Sequence, residues 1–228
     1  MTMRIRHAVI LAAGRGRRMM PLTQSIPKPL APYQDTTLIG HGIAQVRRYI
    51  PNVHVTVGYK GAMVAAHLFE IGVTSVFNTD GQSNSWWLFN TLLRNLNEPL
   101  FVLTCDNVTD LELDLLEEDY FATGEPACML VPVKPVPGLE GDYIFHENRV
   151  VTALSRTTPA DVYCSGIQVI HPVRVNAIAS HDGDFYRVWA DLMAQKQLVM
   201  SSVCPKKWFS VDTMKDLQDL SAEMPESK

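Results

Sequence analysis

The residues best suited to chemistry lie between positions 14 and 30, in the segment GRGRRMMPLTQSIPKPL. Gly14 and Gly16 follow the apolar run Ala8–Ala13, and three arginines (Arg15, Arg17, Arg18) and Lys28 stand among or after them. Glycine lets a backbone turn tightly and lets a bulky anion approach the amide groups. Pro21, Pro27 and Pro29 stiffen the rest of the loop, so Lys28 is held in place. A polyphosphate is the ligand this arrangement suits. The P-loop pattern is absent, and the dinucleotide fingerprint fails because Met19 stands where its third glycine belongs. The second strand, moreover, ends in Gly58-Tyr59-Lys60 rather than an acid.

The elements that must position this loop follow from hydrophobic patterning. Strands are expected at 7–13, 53–58, 73–77 and 100–104, with helices at 38–50, 62–71 and, after the polar loop 78–84, from Ser85 to Leu96. Short links and strict alternation predict an α/β fold: a Rossmann-like, doubly wound, mostly parallel central sheet with helices on both faces. Ligands in such sheets bind beyond the carboxyl ends of the strands. The loops 14–30, 78–85 and 105–110 fall there. The second half is less regular, with strands expected at 127–133, 143–145, 150–154, 163–170 and 198–203 and helices at 184–195 and 213–223. The Pro/Gly stretch 133–141 reads as a loop, and the tail Met224–Lys228 as frayed. One domain of 228 residues is expected, with a nucleotide-binding half (1–125) and an acceptor-binding half (126–228).

Composition narrows the function. A net charge of −4 argues against a nucleic-acid partner and makes the arginine cluster a local device. No apolar run approaches the roughly 18 residues of a membrane span, and the run at 8–13 is too short for a secretory leader. Cys105, Cys128, Cys164 and Cys204 are far apart, which reads as reduced, buried thiols in a cytoplasmic protein. The seven histidines show no metal spacing. Assembly into a homo-oligomer stays open.

The segment LAAGRGRRMMPLTQSIPKPL resembles the signature loop of the sugar-phosphate nucleotidylyltransferases, and later motifs follow in that family's order across most of the chain. The resemblance implies that the loop wraps a nucleoside triphosphate. Arg18 then matches the catalytic arginine that steadies the leaving pyrophosphate, and Lys28 the lysine that contacts the reacting phosphates. Leu11, Ala12, Ala13 and Gly14 would meet the base and ribose, while Gly16, Arg15 and Arg17 line the phosphates. Mg²⁺ is the expected cofactor, because phosphoryl chemistry uses a hard cation held by one or two carboxylates and substrate phosphates. Asp106 matches the family's strand-end aspartate. Asp212, in WFSVDTMKDL, matches its late acidic segment, although Ser210 stands where many relatives carry an acid.

The segment GQSNSWWLFNTLL (81–93) is more similar to the phosphocholine cytidylyltransferase branch than to the hexose-phosphate enzymes. On that likeness Asn84 and Ser85 would read a pyrimidine edge, and Trp87 would line an acceptor pocket. Arg156 would bind the acceptor phosphate, since arginine binds phosphate well; Gly166 would allow the acceptor close to its strand, and Asp142 is a further acceptor contact. The resemblance implies NTP-dependent nucleotidyl transfer, with CTP and a phosphocholine-like, phosphonate or other unusual phosphate favoured. A sugar 1-phosphate acceptor is the alternative within the class. A nucleotide-binding regulatory subunit without chemistry is the alternative outside it.

Overall fold

The computed structural model describes residues 4–137, 141–179 and 183–223, with the backbone alone for 221–223. The expectation for the tail 224–228 and part of that for the loop 133–141 lie outside the described residues.

In chain order, β1 (His7–Ala12) enters the cationic loop, which holds two 3-10 turns (Arg17–Met19 and Lys28–Leu30) and one helical turn, α1 (Leu22–Ser25). A small hairpin, β2 (Pro32–Tyr33) and β3 (Thr36–Thr37), leads into α2 (Leu38–Arg47). There follow β4 (Asn52–Val57), α3 (Gly61–Ile71), β5 (Ser75–Asn78), α4 (Trp86–Asn90), β6 (Leu100–Thr104), β7 (Asn107–Thr109) and α5 (Leu113–Ala122). The second half carries β8 (Cys128–Val133), β9 (Asp142–Glu147), β10 (Val150–Ser155), β11 (Tyr163–Ile170), α6 (Pro172–Ile178), α7 (Phe185–Ala194), β12 (Leu198–Met200), β13 (Trp208–Ser210) and α8 (Met214–Glu223).

Among the described residues, nine strands form one sheet in the order β5-β4-β1-β6-β11-β8-β12-β10-β9. β5, β4, β1 and β6 pair in parallel. β11 runs against both β6 and β8, and β10 against β12 and β9, so only these two oppose the common direction. The sheet is therefore mixed but mostly parallel, as the alternation of elements predicts. Its central strands are buried on both faces, as a sheet covered by helices requires. Along β1, Ala8, Ile10 and Ala12 enter one core cluster and Val9 enters the other; along β6, Phe101 and Leu103 part from Leu100 and Val102 in the same way. A third cluster, which includes Met19, Tyr33, Val108, Val211 and Leu217, packs the cationic loop against the ribbon and the last helix.

Three of the boundaries that differ from expectation have clear local reasons. The helix expected over 85–96 stops at Asn90, because the Thr91 hydroxyl donates to Trp87 O (2.8 Å) and then accepts from Leu93 N (3.3 Å), restarting the chain as a 3-10 turn. The strand expected at 73–77 begins at Ser75, because Val73 N is used in the C-terminal cap of α3, where Gly72 turns left-handed. The strand expected at 198–203 ends at Met200, where Ser201 and Ser202 turn to bind Asp119. Helices α5 and α6 lie in segments where the sequence pattern suggested none. Among the cysteines, Cys128 and Cys164 are buried as expected, whereas Cys105 is half-buried and Cys204 is exposed. No helix among the described residues is long and apolar enough to cross a membrane.

Candidate active site

The cationic loop leaves the carboxyl end of β1, and Asp106 stands just beyond the carboxyl end of the neighbouring β6. Gly16 adopts φ +59°, a conformation that suits glycine, and a Cβ there would lie 2.8 Å from Lys28 Cβ. The loop is thus folded back on itself so that Lys28 packs over Gly16. Thr23 Oγ1 closes the same turn by donating to Gly16 O (3.0 Å). The end of β4 straps the loop from outside: Tyr59 donates its hydroxyl to Thr23 O (3.0 Å), and Lys60 Nζ donates to Ser25 O (2.9 Å). Gly58 permits this approach, since a Cβ there would meet Ala13 O at 2.6 Å.

Asp212 arrives from the other end of the chain. β13 pairs antiparallel with β7 in the register Trp208↔Thr109, Phe209↔Val108 and Ser210↔Asn107, and Val211 N donates to Asp106 O (3.0 Å). This two-stranded ribbon sets the two aspartates side by side. A capping box then fixes the start of α8. Thr213 Oγ1 accepts from Asp216 N (3.1 Å), while Asp216 Oδ2 accepts from Thr213 N (2.7 Å) and Asp212 N (3.0 Å). The cap of α8 is Thr213, which leaves the Asp212 carboxylate for other partners.

Those partners are cations. Lys28 Nζ lies 2.5 Å from Asp106 Oδ2 and 3.1 Å from Asp212 Oδ1, and Arg18 Nη2 lies 2.9 Å from Asp212 Oδ1. Burial alone would lower the pKa of Lys28, but Asp106, with Cys105 and Asp212, outweighs it and holds the ammonium at about 12. Burial alone would raise the carboxyl of Asp106, but the charge and hydrogen bond of Lys28 and a hydrogen bond from Thr104 keep it below the usual range. Burial pushes the Cys105 thiol up to about 12, so it is no nucleophile near neutral pH.

A cavity of ≈ 300 Å³ opens over this cluster. Leu11, Gly14, Gly16, Arg17 and Arg18 line its loop side, and Lys28, Asp106 and Asp212 its floor. A Cβ on Gly14 would meet nothing within 4 Å, so its backbone faces open space. Ala12 and Ala13 lie at the strand end, with Ala12 buried and Ala13 half-buried. Arg15 turns aside, its guanidinium carbon 5.8 Å from the centre of the Tyr59 ring.

The oxygens of Asp106 and Asp212 converge on one cation position, occupied by the Lys28 ammonium. Among the described residues no third His, Cys, Asp or Glu joins them. Two carboxylates with room for phosphate oxygens match the donor set that Mg²⁺ takes. The residues present therefore fit that ion.

Other sequence-derived candidates fall into two groups. Arg156 and Asp142 do come together: Arg156 Nε donates to Asp142 Oδ1 (3.1 Å) and to the hydroxyl of Tyr186 (2.8 Å), and Tyr186 also donates to Asp142 Oδ1. Tyr186 had no sequence signal beyond its place on an amphipathic helix. Asp142 pairs with Cys164, two residues before Gly166, whose added Cβ would approach Thr104 and Asn107 beside Asp106. Arg156 keeps 71% of its side chain exposed.

Ser85 and Trp87 are buried, contrary to expectation, and Asn84 is exposed with its side-chain oxygen engaged. Ser85 is 0% exposed, and its hydroxyl donates to Gly183 O; Asn84 Oδ1 accepts from Phe185 N (3.2 Å). Both side chains thus anchor the start of α7. Trp87 is 1% exposed and packs against Phe185 in the core. The apolar stripe of α4 claims it, so its ring does not line a pocket.

The sequence model of the MobA-like NTP transferase domain matches residues 8–174, well over half of the chain. The chain belongs to the MobA-like NTP transferase family. A mannose-1-phosphate guanyltransferase of Pichia angusta is 26% identical over 91% of this chain and 61% of its own length, and one from Debaryomyces hansenii is 22% identical over the same shares. The chain thus spans about three fifths of the curated relatives it matches. Among solved structures, the inositol-1-phosphate CTP transferase from T. maritima superposes with a TM-score of 0.77 at 14% identity, over 99% of this chain and 100% of that one. The CTP:phosphocholine cytidylyltransferase from Streptococcus pneumoniae gives 0.76 at 19% identity, over 97% and 100%. These likenesses establish the fold, the nucleotide-diphospho-sugar transferase type of α/β sheet.

Proposed function

We propose that this domain transfers a nucleotidyl group from a nucleoside triphosphate to a phosphorylated small molecule and releases pyrophosphate. The observation that carries this reading is the position of Lys28 between Asp106 and Asp212, at the mouth of a glycine- and arginine-lined cavity. An acceptor phosphate oxygen attacks the α-phosphorus in line; the new P–O bond forms as the bond to the pyrophosphate oxygen breaks. A phosphate monoester has a second pKa near ~6, so the attacking oxygen is ionised at neutral pH and needs no base. The protein's work is to align two anions that repel one another and to neutralise charge as it moves.

Arg18 and Lys28 carry that load, with Arg17 at the cavity wall beside the outer phosphates. Mg²⁺, held by Asp106 and Asp212, would supply further positive charge to the phosphate oxygens. Lys28 would offer its ammonium to the phosphate oxygens. Arg156 is offered to the acceptor phosphate, with Asp142 and Gly166 lining its approach.

For the acceptor we infer a sugar 1-phosphate ahead of a phosphocholine-like molecule. Two features support it: the names of the curated relatives, and the burial of Trp87 and Ser85, two of the residues on which the phosphocholine likeness rested. Cytidylyl transfer to a non-sugar phosphate is the second reading. Pyrophosphate release from the four common NTPs, each paired with sugar 1-phosphates, phosphocholine and phosphonates in Mg²⁺, tests both. Turnover with a sugar 1-phosphate upholds the first, and turnover only with CTP and a non-sugar phosphate replaces it by the second. Nucleotide binding without turnover in any pair removes the catalytic reading.

A further inference from the structure

A second cavity, of ≈ 610 Å³, shares no lining residue with the one over Lys28. Its size falls within the ~300–1,000 Å³ typical of small-molecule sites. Its floor is apolar: Val108, Phe209, Val133 and Leu220 come from β7, β13, β8 and α8. Lys134, Lys206 and Lys207 stand around it, brought from two distant stretches of chain. Lys206 pairs with Glu112, whereas Lys134 and Lys207 make no ion pair among the described residues. The lining carboxylate, Asp110, has one oxygen engaged by Lys207 N. His41 also lines the cavity, and its Nε2 is buried with no hydrogen-bond partner.

The ribbon that forms this floor is the one that holds the active-site aspartates. Phe209 faces Val108 in the β7–β13 pairing, and one residue beyond that pairing Val211 N is bonded to Asp106 O. Trp208 lines the cavity, and its indole N–H donates to Ser165 O (3.2 Å) and to the side chain of Asn107, the neighbour of Asp106. A body wedged against Trp208 and Phe209 bears directly on the main chain that sets the spacing of Asp106 and Asp212.

We propose that this cavity is a second ligand site, for an anion with a flat apolar body, whose occupancy is felt at the nucleotide site through the β7–β13 ribbon. The lysines select the anionic group, and the floor accepts the apolar body. The coupling rests on the proposed nucleotide binding at Lys28; the binding of the anion does not.

The test uses anilinonaphthalene sulfonate as the probe. Fluorescence titration should show one saturable site, weakened about tenfold by Lys134→Glu with Lys207→Glu. Both side chains are exposed, so the double variant should keep the wild-type melting temperature. Saturating Mg-NTP should leave the probe bound but shift its dissociation constant at least about fivefold, and by linkage the probe should shift NTP affinity by the same factor. Full displacement of the probe by NTP would show that it sits in the nucleotide cavity and overturn the proposal. Binding unaffected by the lysine variants would do the same. So would an unchanged probe affinity in Val136→Trp, which fills the cavity. NTP that binds but leaves probe affinity unshifted overturns the coupling. NTP that fails to bind at all overturns the nucleotide reading instead, and the probe titration still decides the site.

Discussion

Lys28 Nζ and Asp106 Oδ2 lie 2.5 Å apart, although 78 residues separate them in the chain. The contact joins the end of a stiffened loop to the end of the strand beside it. It concentrates the cation and the carboxylate that phosphate chemistry needs, and Asp212 completes it from the opposite end of the chain.

Asp106→Asn should lower nucleotidyl transfer by at least about 100-fold, as expected if this carboxylate holds the Mg²⁺ proposed above, while the far-UV spectrum stays unchanged. Pyrophosphate release over a Mg²⁺ titration checks it. A wild-type rate at saturating Mg²⁺ would place the ion elsewhere.

Gly16→Ala and Gly14→Ala should separate folding from ligand approach. The methyl at position 16 meets Lys28 Cβ at a left-handed φ, so about 1–2 kcal/mol of stability should be lost together with most of the activity. At position 14 the methyl meets nothing within 4 Å. Stability should hold there, and a raised KM for the nucleotide would report a phosphate lying against that backbone. Urea unfolding and steady-state kinetics on the pair give the comparison.

Tyr186→Phe should raise the acceptor KM about fivefold and leave the nucleotide KM unchanged, because the lost hydroxyl holds both Arg156 and Asp142. If both constants move together, the ring is packing α7 rather than orienting the guanidinium.

Asp119 gives a pH signature away from the cavity. Its carboxylate accepts from Ser201 Oγ (2.7 Å), Ser202 N (3.0 Å) and Ser202 Oγ (2.7 Å) and pairs with Arg149 (2.7 Å). Burial would raise its pKa, but the serine hydrogen bonds and then Arg149 outweigh it and set it below the ordinary 3.8. A depressed folded-state pKa stabilises the protein above the unfolded value, and that stability is lost as pH falls through the folded one. Asp119→Asn should therefore cost about 2 kcal/mol at neutral pH, and the gap should shrink as pH drops below 3.8. Urea midpoints at neutral pH and at a pH below that value measure it; a gap that is constant with pH would assign the loss to packing.

The first half of the fold was legible because β1, β4 and β6 are short buried runs bounded by turn residues, and the cationic loop was legible because its glycines, arginines and prolines have no bland use together. Helix α5 was missed although Leu113, Leu116 and Tyr120 repeat at helical spacing, since acids crowd between them and no side chain caps its start. Periodicity also could not tell whether Trp87 faced core or crevice, as one apolar stripe serves either. Asp142 and Arg156 were reachable from sequence, but Tyr186 was not. It lies 30 residues from Arg156 and 44 from Asp142, and only the packing of α7 against β10, the neighbour of β9, unites them. The pairing of β7 with β13 is equally silent in sequence, being three residues on each side.

That short ribbon has a consequence for timing. During synthesis the ribosome delivers Lys28 and Asp106 long before Trp208–Asp212 emerges, so the nascent polypeptide holds an ammonium and a single acid until that segment docks. A fragment clipped ahead of β13 would still contain all nine strands of the main sheet yet lack the second acid.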